Sequence, residues 1–314
     1  MPLSYRMPAE PRPRLDVLVT GATGNQGGAL ARVLLERGHN VRGLTRDPGQ
    51  DAAKRLSGLG VQMVKGDYED GRSLESAMTD MDAVFLVCTP HEMGPDAEMR
   101  HGRQAIEVAK DVRPDHLVYS SVAGADRATG VPWFRSKAKI ERMLRNTNLR
   151  WSVVRPTFFM DNFTSFWWLP VLRQDRLEMA LPPDRPLQQV AVADIAAFTT
   201  LVLERGPHFY GETIEIAGDE EPGAQTARIL SDATGRTIEY AQTEPEALGS
   251  KAEAAMYRWL REEGFRVNIP SLINDFPEVD WHSIEQWAGG QDWQHLLAYA
   301  AEGERRAESR RWEG

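Results

Sequence analysis

The chain has 314 residues, 41% of them hydrophobic, which allows one large domain or a domain with a smaller satellite around a sizeable core. Its formal net charge of −9, with no long basic stripe, excludes tracking of a phosphate backbone, so no direct nucleic-acid partner is expected. A single cysteine, Cys88, excludes an internal disulfide, and seven scattered histidines without an HExxH pair predict no metal site.

Residues 1–14 hold four prolines and no apolar run, and read as a disordered lead-in rather than a secretory segment. From residue 15, short apolar runs alternate with helical patterns. LDVLVT (15–20) reads as a buried strand. A glycine-rich turn and a helix over 26–37 follow, with Leu30, Val33 and Leu34 on one face and Gly38 ending it. Then come a strand over 40–45, a helix near 51–58, a strand over 61–66, a helix near 71–78 and a strand over 82–88. A long helix around 96–111 leads to a strand over 116–121, and a helix over 134–146 to a strand over 151–156.

Six strands alternating with helices predict an α/β fold for residues 15–156. It is a doubly wound, Rossmann-type parallel sheet of order 3-2-1-4-5-6, with ligand at the carboxyl ends of the strands. Residues 157–302 are expected to form a smaller α+β subdomain, facing a substrate or partner, with crossings back to the sheet. In it, 188–205 reads as a short strand leading into a helix, and 212–218 and 236–242 as strands. The stretch 244–264 reads as a helix with Ala255, Met256, Trp259 and Leu260 apolar. Residues 303–314 are a charged tail. The stretch 163–172 is too short and too aromatic to span a bilayer. A cytoplasmic protein with no membrane partner is the simplest expectation.

The chemistry starts in TGATGNQGG (20–28), between a strand and a helix. Gly21 permits a tight turn, Gly24 lets the backbone approach a pyrophosphate, and Gly27 lets the helix pack closely. The helix N-terminus offers unpaired N–H groups to the phosphate. The GxxGxxG spacing is that of the short-chain dehydrogenases. The second strand ends Leu44-Thr45-Arg46, where NAD-selective sites carry a carboxylate. A guanidinium clamps a 2′-phosphate with paired charged hydrogen bonds, so Arg46 favours NADP(H) over NAD(H), while Asp47 beside it pulls the other way. Asp67, closing the third strand, is a candidate acceptor for the adenine amino group or a plain helix cap.

Five segments together resemble the NmrA-like family, an atypical short-chain dehydrogenase group of NADP(H)-binding redox sensors and regulators. They are VTGATGNQGG (19–28), GLTRDP (43–48), GDYED (66–70), VYSSVAGADRATGVPWFRSKAKIE (118–141) and VRPTFFMDNF (154–163). The likeness runs from about residue 15 to 218. It implies a two-lobed molecule with Gly21, Thr23, Gly24, Asn25 and Gln26 lining the pyrophosphate and Arg46 meeting the 2′-phosphate. Thr89 and Pro90 would border the cofactor, Lys137 would lie near the nicotinamide ribose, and Phe158 or Phe159 would pack beside the nicotinamide.

Short-chain dehydrogenases use a Tyr-x-x-x-Lys pair, in which the lysine lowers the tyrosine pKa for proton transfer. Here Lys137 is present and Trp133 stands in the tyrosine's place. Ser120 and Ser121, where such enzymes orient substrate, read as strand-end hydrogen bonders. The first reading is therefore an NADP(H)-binding redox sensor or regulator. The alternative is an NADPH-dependent reductase of a quinone, enone or similar small acceptor, with Lys137 as catalytic proton donor, its pKa lowered by nearby positive charge or desolvation. A protein partner or an apolar small substrate completes either reading. Cys88, where the fourth strand ends, is a core residue or a redox switch, with the core reading ahead. The cluster FTSFWWLP (163–170) is a lid, a partner surface or buried packing.

Overall fold

The computed structural model describes residues 14–89 and 94–300. The chain divides into two units. One holds the chain up to Thr157 together with Val192–Ile216 and Val267–Asp280, and the other holds Phe158–Ala191, Ala217–Arg266 and the chain from Trp281. The charged tail (303–314) and the lead-in up to residue 13 lie outside the described residues.

The first unit opens with β1 (Asp16–Val19), α1 (Asn25–Glu36), β2 (Asn40–Thr45), α2 (Asp51–Gly58), β3 (Gln62–Lys65) and α3 (Gly71–Met78). It continues with β4 (Ala83–Val87), α4 (Gly94–Val112), β5 (His116–Ser120), α5 (Pro132–Arg145) and β6 (Trp151–Pro156). Val17, Leu18, Val84, Leu86, Leu117 and Val118 are all fully buried. Strands covered by helices on both faces read as unbroken apolar runs, and each such side chain contributes about 2 kcal/mol on burial. On α1, Leu30, Ala31 and Leu34 are buried and Val33 is half-buried. Gly38 follows its end at φ +85°.

Four elements of the second unit come next: β7 (Phe158–Phe159), α6 (Leu169–Leu172), β8 (Arg176–Met179) and β9 (Pro186–Val190). The chain then returns to the first unit with α7 (Val192–Glu204) and β10 (Thr213–Ile216). The second unit resumes with β11 (Asp219–Pro222), α8 (Gly223–Thr234), β12 (Glu239–Gln242) and α9 (Lys251–Glu262). After α10 (Ile269–Asp275) in the first unit, α11 (Ile284–Gly289) belongs to the second.

The main sheet is wholly parallel, in the order β3-β2-β1-β4-β5-β6-β10. The six expected strands stand in the expected order. β10, the strand read over 212–218, joins them beside β6 with Thr213 opposite Val153. Helix α7 is buried along most of its length, and its last residue, Glu204, accepts from Arg37 at 2.8 Å and pairs with His39 at 3.1 Å. These contacts fasten the returning segment to the end of α1 and the start of β2.

The second unit is α+β. One small sheet runs β11-β9-β7, with β9 antiparallel to β11 and parallel to β7, and another pairs β8 with β12 in parallel. The helix expected over 244–264 is shorter. Pro245–Ala247 forms a single 3-10 turn, and α9 starts only at Lys251, where Ser250 caps it by accepting from Glu253 N at 3.3 Å. Its buried residues are Ala254, Tyr257, Trp259 and Leu260, while Ala255 and Met256 are half-buried. Among the described residues, no helix is long and apolar enough to cross a membrane.

Candidate functional site

The loop after β1 is rooted by Thr20, which is fully buried. Its Oγ1 donates to the Phe85 carbonyl at 2.9 Å and accepts from Val87 N at 3.0 Å, tying the ends of β1 and β4 together. Gly21 turns the chain at φ +60°, and a Cβ there would lie 2.7 Å from Val87 Cγ1. At Gly27 a Cβ would fall 2.3 Å from the Gly21 oxygen and 2.9 Å from that of Thr20. The loop's own backbone therefore demands this glycine. Gly24 is different. A Cβ there meets nothing closer than the Gly21 oxygen at 3.4 Å, and the backbone is extended at φ −92°.

Directly behind Gly24, α1 begins without a side-chain cap and without an acid in its first turn. Its leading N–H groups and the positive end of its dipole are thus available to an anion. Thr23 is half-buried and Asn25 exposed. Gln26 uses its side-chain oxygen to accept from Ser120 Oγ at 2.7 Å, which engages it at the end of β5.

Arg46 is exposed immediately after β2. The carboxylate of Asp47, its rival in the sequence, is turned into its own loop, where Oδ1 accepts from Gly49 N at 2.8 Å. Asp67 is half-buried and accepts from Glu69 N at 2.9 Å. The cap of α3 belongs instead to Asp70, which accepts from the Arg72 and Ser73 amides at 3.1 and 3.3 Å.

Lys137, on α5, is held on two sides. Its Nζ donates to the Cys88 carbonyl at 3.0 Å and pairs with Glu98 Oε1 at 2.8 Å, over the Tyr119 ring at 5.8 Å. The Glu98 side chain is wholly out of solvent, that of Lys137 is 14% exposed, and Ser136 also donates to Glu98. The charge beside Lys137 is thus a carboxylate. Trp133 lies half-buried one turn earlier on the same helix. Thr89 is exposed beyond β4, and Pro90 lies outside the described residues.

The serines that end β5 are also engaged. Ser120 bonds Gln26, and Ser121 donates to Glu141 Oε1 at 2.6 Å. Arg155 grips the buried Glu141 with two bonds, at 2.9 and 2.7 Å, and reaches Asp126 at 3.0 Å and Glu215 at 3.3 Å. Glu215 in turn accepts from Gly124 N at 2.7 Å. Burial opposes the charge on Arg155, but the hydrogen bonds and charge of Glu141 outweigh it and move its pKa up. The loop after β5 is fastened at Ser121, Gly124 and Asp126 through this network.

Cys88 is buried among Tyr68, Tyr119 and Glu98, and burial pushes its thiol up to about 12, with Lys137 offsetting only part of that. It is a core thiol rather than a reactive thiolate. Burial likewise raises Tyr68 and Tyr119, and the Tyr68 hydroxyl donates to the Val87 carbonyl at 2.7 Å.

Phe158 lies in the second unit, half-buried, with its ring 5.8 Å from Phe163 and 6.5 Å from Trp168. The aromatic cluster behaves in two ways. Phe163 is buried, whereas Phe166 and Trp167 are 72% and 73% exposed with their rings 4.3 Å apart. Sequence reasoning missed Thr20, Glu98, Glu141 and Arg155. The signal available was a lone polar residue within a buried run or stripe.

The model of the NmrA-like family matches residues 14–265. This chain belongs to the NmrA-like family. Among curated relatives, it is 34% identical over 220 residues to the (4-alkanoyl-5-oxo-2,5-dihydrofuran-3-yl)methyl phosphate reductase of Streptomyces griseus, covering 68% of this chain and 73% of that one. It is 29% identical over 226 residues to the NAD(P)H azoreductase of Xenophilus azovorans, covering 71% and 76%. The fold matches the crystal structure of NmrA, a negative transcriptional regulator in complex with NAD, with a TM-score of 0.78 at 19% identity, over 91% of this chain and 98% of that one.

Proposed function

We propose that this NmrA-like chain binds NADP(H) at the loop after β1 and uses it to reduce a small conjugated acceptor. The observation that carries the cofactor is Gly24. The protein itself leaves room for a side chain there, and the helix behind it is uncapped, so the glycine serves a group that approaches from outside. The loop from Gly21 through Thr23, Asn25 and Gln26 to Gly27 would hold the pyrophosphate, and Arg46 the 2′-phosphate. With the Asp47 carboxylate turned away, the preference falls to NADP(H). Asp67 would meet the adenine, and Thr89 and Pro90 would border the cofactor.

When bound, the reduced nicotinamide supplies a hydride. Lys137 has three N–H donors, of which the Cys88 carbonyl takes one while Glu98 pairs with the charge, and a remaining donor suits a ribose hydroxyl. Lys137 therefore positions rather than protonates, and the proton that completes the reduction comes from water. Such a division suits acceptors that a hydride alone converts into a stabilised oxygen anion, such as a quinone or an enone. The reductase reading draws on the two curated relatives named above, whose named substrates are conjugated acceptors.

A second reading, an NADP(H)-binding redox sensor that reports through a protein partner, is favoured by Trp133 in the tyrosine's place and by the closed ion pair around Lys137. Calorimetry with NADPH, followed by nicotinamide absorbance with a panel of quinones, enones and azo dyes, separates the two. Protein-dependent oxidation establishes the reductase. Binding without consumption rejects it in favour of the sensor, and no binding at all rejects both.

A further inference from the structure

On the outer side of α4 and α5 lies a groove of about 310 Å³. Its floor is Met99 and Met143, both half-buried, and its rim is Arg103, Lys139 and Arg142, all exposed, with Asn146 beside them. None of the three rim cations has an ion-pair partner among the described residues. On the same helices Arg100 pairs with Glu69, Lys110 with Glu107 and Arg145 with Glu141, and Arg135 is the further cation of α5 without an ion pair among the described residues. The only acid on α5 is Glu141, and it is buried beneath Arg155. In a chain of net charge −9, three unneutralised cations around an apolar floor are a local reversal of sign. They repel one another, and no contact within the fold calls for them.

We propose that this groove docks an acidic peptide segment of another protein, with carboxylates on the three cations and an apolar side chain on the two methionines. Methionine's flexible, polarisable side chain suits a floor that adapts to such an anchor, and the cations fix register and speed encounter. A second copy of this chain is a poor occupant, because a two-fold contact would set the same cations against each other. Nucleic acid meets the repulsion of the chain's overall charge and gains nothing from an apolar floor. The surface goes beyond the reductase reading and does not depend on it. It also shares both helices with the Glu98–Lys137 pair, so an occupant would bear on the elements that hold that pair.

The test is fluorescence anisotropy with a short labelled peptide of glutamates around a central leucine pair, titrated with the full-length chain with and without NADPH. Binding is expected to weaken with added salt and to fall about tenfold or more in Arg103→Glu/Lys139→Glu/Arg142→Glu. A glutamine version of the peptide should bind far more weakly. Should the triple variant melt early, Lys139→Gln alone gives the milder form, with binding about threefold weaker at unchanged stability. Absence of peptide binding overturns the proposal, as does equal binding by the variants. It also fails if a labelled oligothymidine binds more tightly with the same losses, or if light scattering finds a dimer that the triple variant abolishes.

Discussion

The loop after β1 and the helix α5 both lie at carboxyl ends of strands in one sheet, yet their polar groups are placed differently. Around the loop, Gln26 apart, they are left open: Gly24 leaves space, the first turn of α1 has no cap, and Arg46 after β2 is exposed. At β5 and α5 they are consumed within the protein: Ser120 by Gln26, Ser121 by Glu141, and Lys137 by Glu98 and the Cys88 carbonyl. The difference separates the proposed binding surface from groups that the fold itself uses. A substitution in the loop should register in cofactor affinity with little change in stability. One around α5 should register first in stability, because it breaks a buried contact that the fold already makes.

The largest effect is expected at Glu98. Glu98→Gln keeps the shape and leaves the nearly buried Lys137 ammonium without its counter-charge, which costs about 3–5 kcal/mol of stability in urea unfolding. Lys137→Met alone should cost a similar amount, while the double variant recovers most of the loss, since two neutral partners leave no stranded charge. If Glu98→Gln left stability unchanged and instead erased turnover, the pair would be part of the chemistry and the contrast with the loop would collapse.

Next come two glycines of the same loop. Gly24→Val should weaken NADPH by about 100-fold or more, roughly 3 kcal/mol, with a melting temperature close to that of the parent. Gly27→Val should instead destabilise the fold by about 3 kcal/mol or more, because the new side chain meets the Gly21 and Thr20 backbone. Isothermal calorimetry and thermal melts distinguish the two. Equal loss of stability in both variants would mean that Gly24, too, is demanded by the protein rather than by a ligand.

The contrast also marks what the sequence made legible. The parallel core was readable because its central strands are mostly apolar runs between amphipathic helices, and β10 because ETIEIAG alternates polar and apolar residues late in the chain. The demands at Gly21 and Gly27 were readable because those glycines act through their own backbone, and the exposure of Arg46 because a charged side chain follows directly on the strand end. Glu98, Glu141 and Arg155 were not, since their roles depend on partners far along the chain. Pattern shows that a stripe is buried, not which distant charge meets the one acid within it. Even so, a lone arginine in VVRP and a lone glutamate in the buried stripe of α4 were signals that a partner had to exist. In the second unit α9 was read, with its start placed too early, while α6, α8 and α11 were missed for another reason. α6 and α11 are short, α8 buries mostly small residues (Gly223, Thr226 and Ala227 beside Leu230), and the clearest sign of α11 was its capping box, Ser283 with Gln286.

The smallest of these effects, and the most selective, is expected at Arg46. An exposed guanidinium adds little to the fold, so Arg46→Ala should leave the melting temperature within about 1 °C, as surface substitutions generally do. Charge-assisted bonds to a 2′-phosphate are worth about 1.5–3 kcal/mol, so NADPH affinity should fall roughly 10- to 150-fold while NADH affinity changes less than about threefold. Competition binding of the two cofactors to parent and variant measures this directly. The arrangement of Asp47 makes the prediction sharper, because its carboxylate is held by Gly49 N and does not swing in to replace Arg46. A second variant, Gly49→Pro, removes that amide donor and should release the carboxylate toward a ribose 2′-hydroxyl, which would raise NADH affinity relative to NADPH. Equal losses for both cofactors in Arg46→Ala would place the guanidinium on the shared pyrophosphate instead. The loop would then still bind a dinucleotide, but its discrimination would have to come from another residue.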